Sequence, residues 1–217
     1  LFNGATVTGG ALNSNGTGVF KASNSAANFL NGVTLNGTLD LASADSAARI
    51  TAGGMTLNGV INIGNTSILA PQGNQTIGGT GAIVFADGNA FNQLNVEAGN
   101  LVIDSGITVR GQTGVIGLQN FAGGAATLTN NGTINSDGGG TITVNINGAL
   151  TNNGTMRAQN GTLAIQDNLS GTGTLQVDAT GVMTLANGGN SQNGLVMGSA
   201  GASLNVGTGN LTINTDF

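Results

Sequence analysis

The feature that most constrains the fold is an internal repeat of 22 residues. The phrase TNNGTI at residues 129–134 returns as TNNGTM at residues 151–156, and 151 − 129 = 22. Between the copies, TITVNI at residues 141–146 alternates polar and apolar residues, which is the pattern of a half-buried strand. Asn-Gly pairs bound these segments and are typical of tight turns. A unit this small cannot bury its own apolar face, so copies must stack as a solenoid.

Similar matches recur along most of the chain. LNGTLDLA at residues 35–42 returns as LNGVINIG at residues 57–64, again at an offset of 22. The longest match pairs LNVEAGNLVI at 94–103 with LNVGTGNLTI at 204–213, at an offset of 110, which is five times 22. Because self-similarity extends across half the chain, we expect one continuous domain over residues 1–217 and a piece of a longer repeat protein.

The coils are not all of one length. GGTGAIVF at residues 78–85 resembles SGTGTLQV at residues 170–177, and their offset of 92 is not a multiple of 22. Stacked strands lie about 4.8 Å apart, so ten coils would form a rod on the order of 50 Å long. The sequence therefore predicts an all-β, right-handed parallel β-helix (a β-solenoid) of roughly ten coils of about 20–22 residues each.

The composition supports this class of fold and excludes others. Gly contributes 40 residues and Pro one, 39% of residues are apolar and only 6% are charged. Disordered chains are poor in apolar residues and rich in charge, and collagen needs Gly at every third position. The net charge of −5, with four scattered basic residues, argues against a nucleic-acid partner and a basic membrane-surface helix. No apolar run approaches the length of a membrane span, so we expect no direct membrane insertion.

The alternating strands predict the core. We expect these residues to point inward: Leu39, Leu41, Ile61, Ile63, Ile142, Val144, Leu163, Ile165, Leu175 and Val177. Asn side chains at corresponding positions are expected to hydrogen-bond along the rod. Pro71, which cannot donate to a strand ladder, is expected in a turn.

Four segments do not fit the strand pattern. Residues 110–124 and 186–194 are predicted to be loops that leave the rod. Residues 21–30 suit either a helical turn or a corner loop. Asp45 and Arg49 have the spacing of an ion pair on one helical turn, although the surrounding pattern favours a strand.

The phrases LTNNGTI, NGALTNNGTM and GTLAIQDNLSGTGTLQV resemble the shaft repeats of bacterial surface adhesins. They are similar to the filamentous-haemagglutinin-like group exported by two-partner secretion, and also to autotransporter passenger domains. The resemblance covers the chain from about residue 35 onward. It implies a right-handed parallel β-helix, an extracellular or cell-surface location, and a role in attachment or biofilm. The Asn-Pro-Asn motif of the secretion domain is absent, since Ala70 precedes Pro71, so this piece would belong to the shaft.

The residue types limit the chemistry. Without His or Cys, the chain cannot form Ser-His-Asp or Cys-His systems, disulfides or the usual zinc sites. Paired carboxylates of a glycan-active enzyme remain an alternative, but we expect the acids to be solvated at turns. The acids are Asp40, Asp45, Asp87, Glu97, Asp104, Asp137, Asp167, Asp178 and Asp216. We therefore predict a protein that is not an enzyme, with no catalytic, cofactor-binding or metal-binding residues.

Three weaker motifs resemble binding sites. Residues 136–144 are similar to a Gly-rich calcium repeat without its spacing, and we expect a wide Gly corner there. Residues 78–81 lack the Lys and Ser/Thr of a phosphate loop. Thr-x-Thr pairs, which bind ice when every coil carries one on the same face, occur here irregularly at residues 6–8, 127–129 and 141–143.

Two further features have structural interpretations. Asn-x-Ser/Thr sequons are glycan acceptors in secreted eukaryotic proteins, but in this chain we expect an Asn-Gly turn followed by the first strand residue. They begin at Asn15, Asn36, Asn65, Asn74, Asn131, Asn153, Asn160, Asn168 and Asn210. Phe91 and Phe121 are expected to pack on the rod as loop anchors.

The sequence thus predicts a structural shaft segment of a secreted bacterial adhesin or matrix fibre. The alternatives are a glycan-active β-helix enzyme and a solenoid module that binds glycan, ice or calcium. The expected partners are neighbouring repeats of its own chain, or other copies stacked end to end, and host or matrix glycans or proteins. Neither terminal segment carries a charge run or an amphipathic helix that would cap a solenoid, so we expect continuation at both ends.

Overall fold

The structure, a computed structural model, describes residues 2–43, 45–198 and 200–214. Within these residues the chain forms 29 short strands and no helix. Strands follow one another around three faces, and each strand pairs in parallel with the strands one coil before and one coil after it. Parallel strands need long crossover connections, and here each crossover consists of the two strands on the other faces. The predicted parallel β-helix is confirmed.

In chain order the strands are β1 Thr6–Thr8, β2 Ala11–Leu12, β3 Val19–Lys21, β4 Phe29–Asn31, β5 Val33–Leu35, β6 Thr38–Leu41, β7 Ala47–Ile50, β8 Met55–Leu57, β9 Val60–Ile63, β10 Ile68–Pro71, β11 Gln75–Gly79, β12 Ala82–Phe85, β13 Gln93–Leu94, β14 Gly99–Ile103, β15 Thr108–Gly111, β16 Gly114–Ile116, β17 Ala126–Asn130, β18 Thr133–Ser136, β19 Thr141–Val144, β20 Leu150–Asn152, β21 Thr155–Ala158, β22 Thr162–Ile165, β23 Leu169–Ser170, β24 Thr174–Val177, β25 Val182–Leu185, β26 Asn190–Gln192, β27 Gly194–Met197, β28 Ser203–Val206 and β29 Leu211–Ile213.

Each face of the rod is one sheet of every third strand. Face 1 runs β1-β4-β7-β10-β13-β16-β19-β22-β25-β28, and its ten strands enclose 10 − 1 = 9 turns. Face 2 runs β2-β5-β8-β11-β14-β17-β20-β23, and a two-stranded sheet of β26 and β29 follows it. Face 3 runs from β3 through β6, β9, β12, β15, β18, β21 and β24 to β27. The count agrees with the roughly ten coils predicted.

The core is a column of aliphatic side chains between the three faces. All ten residues predicted to point inward are buried, each with 0% of its surface exposed. Strand after strand shows the same alternation of half-buried and buried residues, for example in Thr162–Ile165 and Thr174–Val177. Period-two alternation therefore identified the inward face correctly, because successive side chains of a strand point to opposite sides.

The register explains which sequence matches are structural repeats. Leu35 pairs with Leu57, and Thr129 pairs with Thr151, so both 22-residue repeats are single coils. On face 3 the separation of paired residues ranges from 38 − 19 = 19 to 108 − 82 = 26. The predicted variation in coil length is therefore confirmed.

The longest sequence match is not in register on face 1. Five successive pairings connect Leu94 to Val206, an offset of 112, whereas the match had placed Leu94 with Leu204. A shift of two residues leaves the same side of a strand inward, so the apolar pattern alone could not detect it.

Several expectations about irregular segments were wrong. Pro71 is buried at the end of β10, where it pairs with Ile50 and its carbonyl accepts from Glu97 N at 3.0 Å. Its missing N–H is tolerated at the end of a strand. Segment 110–124 leaves the strands only after β16, and segment 186–194 contains β26. For segment 21–30 the corner-loop alternative is correct, because the segment connects β3 to β4, and the helical-turn alternative is wrong.

Asn side chains form ladders along the rod, as predicted. On the corner between faces 2 and 3, Asn58 Nδ2 donates to Asn36 Oδ1 at 2.9 Å, and Asn36 Nδ2 donates to Asn13 Oδ1 at 2.7 Å. A second ladder lies inside the rod, where Asn130 Nδ2 donates to Asn152 Oδ1 at 2.7 Å. The inner amides, Asn130 and Asn152, are buried, and their pairing matters more because a buried polar group without a partner is costly.

Candidate functional site

The outer side of face 3 presents two parallel rows of polar residues. The first position of four consecutive strands is Thr, and these residues are register partners: Thr108, Thr133, Thr155 and Thr174. Two residues further along each strand is a second row: Arg110, Asn135, Arg157 and Gln176. Because the partners come from successive coils, each row repeats at the strand spacing of about 4.8 Å.

Ion pairs link neighbouring coils across this face. Lys21 Nζ lies 3.4 Å from Asp40 Oδ2, and Arg110 Nε lies 2.7 Å from Asp137 Oδ2. The third pair, Arg157 Nη2 with Asp178 Oδ2, is 2.5 Å long.

The hydrogen bond from the Gln176 amide, together with the Arg157 guanidinium, outweighs partial desolvation and lowers the pKa of Asp178. These pairs are partly exposed, so they orient side chains more than they stabilise the fold.

A shallow depression lies beside Arg110, where face 3 meets the corner from face 2. Its volume is about 370 Å³, and its lining residues are Asn58, Gly59, Val60, Thr80, Gly81, Ala82, Thr108 and Arg110. The lining includes small residues from two coils, among them Gly59, Gly81 and Ala82, and one basic residue, Arg110. Its neutral polar side chains are the amide of Asn58 and the hydroxyls of Thr80 and Thr108.

A buried carboxylate holds residues 117–125, the longest connection between described strands, against the rod. Glu97 has 0% of its surface exposed. Its Oε1 accepts from Asn120 N at 2.7 Å and Asn95 Nδ2 at 2.8 Å, and its Oε2 accepts from Phe121 N at 3.1 Å and Ala122 N at 2.8 Å. A buried carboxylate is stable only with such partners, so Glu97 and the connection require each other.

An arginine between two aromatic rings completes this attachment. The Arg49 guanidinium lies 4.9 Å from the ring centre of Phe29 and 4.7 Å from that of Phe121. Arg49 Nε also donates to Gln72 Oε1 at 3.1 Å. Arg49 lies on strand β7, so the alternative of a helical ion pair with Asp45 is wrong. Phe121 is a packed anchor as predicted, but Phe91 is 69% exposed and that prediction is wrong.

The remaining acids are dispersed along the rod. Burial alone would raise the pKa of Asp87, but hydrogen bonds from Asn92 and from the N–H groups of Asn89 and Asn65 lower it. Burial raises the pKa of Asp167, against the opposing hydrogen bond from Ile146 N. Asp104 Oδ1 accepts from Ser105 N within a turn. Asp45 accepts from the Thr66 hydroxyl, and Asp216 lies outside the described residues.

Glu97 contradicts the expectation that every acid is solvated at a turn. Within residues 2–43, 45–198 and 200–214, three or more Asp or Glu residues nowhere come close enough together to hold a metal ion.

The weaker sequence motifs are placed on corners and on separate faces. In segment 136–144, Asp137 is occupied by Arg110 and by Gly111 N, which donates to it at 3.1 Å. The Gly-rich segment 78–81 is followed by strand β12, and not by the helix that follows a phosphate-binding loop.

The three Thr-x-Thr pairs lie on β1, β17 and β19, which belong to faces 1 and 2, so they do not form one array. The Asn-Gly-Thr sequon at Asn15 does not fit the expectation, because Thr17 lies in a turn before β3. In the other four Asn-Gly-Thr sequons the Thr is the first residue of its strand, as expected: Thr38, Thr133, Thr155 and Thr162.

Sequence reasoning missed the features that depend on variable coil length. A constant period of 22 would place Arg110 beside Gly132, whereas its strand partner is Asn135, 25 residues away. The same variation conceals the depression, because its lining residues come from three coils. Glu97 carried a usable signal, since it is the chain's only Glu and is surrounded by small and apolar residues.

Comparisons with known proteins found no matching family model, no matching curated protein and no matching solved structure. Among the described residues, helices that could cross a bilayer were sought and none was found.

Proposed function

We propose that this chain is a non-catalytic shaft segment of a secreted bacterial surface adhesin or extracellular matrix fibre. The observation that carries the proposal is the stacking of parallel strands on three faces from β1 to β29, with a break in strand pairing on face 2 between β23 and β26. In such a solenoid each coil contacts mainly its neighbours, so the rod can be lengthened coil by coil. A rod of this kind suits a spacer that holds an adhesive part away from the cell.

Two further observations support a mechanical role. Connections between the described strands have at most nine residues, and Glu97 fastens the longest, residues 117–125, to the rod. The outer faces are nearly uncharged, and the cross-coil ion pairs of Lys21, Arg110 and Arg157 join successive coils. The partners proposed for the rod are adjoining repeats of the same chain, or copies stacked end to end, and host or matrix glycans or proteins.

Deleting one coil tests the shaft role. Thr133 and Thr155 are register partners, so removing residues 133–154 deletes 155 − 133 = 22 residues and rejoins the strands in register. We expect a fibre with this deletion to fold and to support attachment at close to the wild-type level, because about 4.8 Å of length is lost. Removing residues 133–143 alone is the matched control, since it destroys the register. Loss of attachment on deleting one coil, with normal surface display, would contradict the proposal.

The location can be tested separately. Antibodies raised against the folded segment should label intact cells of the source bacterium, because a shaft lies outside the envelope. Labelling that requires permeabilised cells would rule out a surface fibre.

A further inference from the structure

Beyond the shaft role, we propose that the depression beside Arg110 binds a saccharide unit that carries a carboxylate, such as a uronic acid of an extracellular polysaccharide. Four features of the site lead to this ligand class. They are a hollow lined by three coils, an Arg110 guanidinium positioned by Asp137, neutral polar side chains in the lining, and small apolar residues in the lining.

The hollow is a consequence of coil stacking. A Cβ atom on Gly59 would lie 1.9 Å from Gly37 O, and one on Gly81 would lie 2.3 Å from Gly59 O. These corners can therefore hold only Gly, because the backbone of the preceding coil occupies the place of a Cβ, and Gly59 and Gly81 contribute no side chain to the lining. The volume of about 370 Å³ lies at the lower end of the range for ligand sites, which suits one sugar ring rather than an extended chain.

The charge at the hollow is held in place. Asp137 Oδ2 contacts Arg110 Nε at 2.7 Å, and Asp137 Oδ1 accepts from Gly111 N at 3.1 Å. A guanidinium has five N–H donors, so one contact at Nε leaves the terminal amino groups for a ligand. These groups match a carboxylate in two-point geometry, which a neutral sugar cannot provide.

The rest of the lining suits the remainder of a sugar. Thr80, Thr108 and Asn58 offer hydroxyl and amide groups to sugar hydroxyls, and Val60 and Ala82 offer small apolar surfaces to a ring face. The Asn58 amide is oriented, because its Nδ2 donates to Asn36 Oδ1 at 2.9 Å. Arg110 is the only basic residue of the described chain that lines the hollow, so a single carboxylate is the expected charge of the bound unit.

The test uses the segment 1–217 with oligogalacturonate as the probe and its carboxyl-reduced form as the neutral comparison, measured by calorimetry and by saturation-transfer NMR. Arg110→Gln removes the charge, and Ala82→Leu fills the hollow from an outward position without changing charge. Arg157→Gln is the matched control, because Arg157 occupies the same row, pairs with Asp178, and does not line the hollow.

We expect Arg110→Gln and Ala82→Leu to weaken binding of the acidic probe at least about tenfold. A lost charge-assisted contact of about 1.4 kcal/mol or more has an effect of this size. The control Arg157→Gln should bind the probe within about twofold of wild type. The neutral form should bind at least about tenfold more weakly. An equal loss of affinity for the acidic probe in Arg157→Gln would mean that the probe is attracted non-specifically by positive charge, and would overturn the proposal. Equal binding of the neutral form, or no binding of either probe, would also overturn it.

Discussion

Gln192 reaches across an entire coil to hydrogen-bond Asn152. Asn152 Nδ2 donates to Gln192 Oε1 at 2.7 Å, although 40 residues separate them. The intervening coil has Gly171 at this position, with φ of +119°, and a Cβ there would lie 2.2 Å from Asn152 O. The longer Gln side chain therefore bridges the space that Gly171 leaves, and it continues the buried amide ladder.

This ladder should behave as a unit. Gln192→Leu leaves the Asn152 Nδ2 group without its short acceptor, and Asn152→Leu leaves Gln192 Oε1 unpaired and removes the short acceptor of Asn130 Nδ2. We expect each single change to lower the free energy of unfolding by about 1–3 kcal/mol. The double variant should lose less than the sum, because both partners are then apolar. Urea denaturation of the four proteins of this cycle is the measurement, and strict additivity would contradict the coupling.

Glu97 should be the most sensitive acidic residue. Glu97→Ala removes the acceptor of three backbone N–H groups, those of Asn120, Phe121 and Ala122. We expect a loss of about 3 kcal/mol or more, because buried donors are left unpaired. Hydrogen exchange should accelerate at residues 120–122 first. Asp104→Asn, at an exposed turn, is the control and should change stability by less than about 0.5 kcal/mol. Unchanged exchange in Glu97→Ala would show that the connection is held by other contacts.

Leu163 and Glu97 show what the sequence can and cannot predict. Leu163 alternates with Thr and Ala, and a residue's side of a strand depends only on its neighbours, so its burial followed from local pattern. Glu97 is buried because residues 117–125 fold back over face 1, which is a long-range event. The hollow beside Arg110 likewise depends on coil lengths, and insertions at corners leave no trace in strand periodicity.

Some corner positions require Gly because a side chain would collide with the preceding coil, and not because of their backbone conformation. Gly154 has no unusual φ, but a Cβ there would lie 2.1 Å from Gly132 O in the previous coil. Gly154→Ala must displace backbone, and we expect a loss of about 1–3 kcal/mol. Gly123 is the matched control, since a Cβ there would meet no atom within 4 Å, and Gly123→Ala should be nearly neutral. Thermal unfolding of both variants is the measurement, and equal losses would contradict a steric cause.

Asp178 and Asp167 should have opposite effects on how stability depends on pH. The pKa of Asp178 is lowered in the folded state. Its contribution to the free energy of unfolding is therefore present above the unfolded pKa, about 3.9, and is lost as pH falls through the folded pKa. The pKa of Asp167 is raised, so the folded state is favoured below the unfolded pKa, and this advantage is lost as pH rises through the folded pKa. Asp178→Asn should therefore destabilise at pH 7, by less than about 1 kcal/mol, and Asp167→Asn should stabilise. The stability differences between each variant and the wild type should vanish well below pH 4 in urea titrations. A stability change of the same sign at pH 7 for both variants would contradict the opposite pKa shifts.

The last coil that the structure describes exposes positions that are buried elsewhere. Met197 pairs with Val177, which is fully buried, yet Met197 is 43% exposed, since no described strand pairs with β27 on its other side. Unpaired strand edges with apolar side chains recruit other strands, so we expect segment 1–217 to self-associate end to end at micromolar concentration. Met197→Lys should reduce this association, because it puts charge on the contact surface. Val196→Lys is the matched control, since Val196 is 50% exposed on the same strand but points outward. Sedimentation velocity over a concentration series distinguishes the variants, and a concentration-independent monomer for the wild type would refute the expectation.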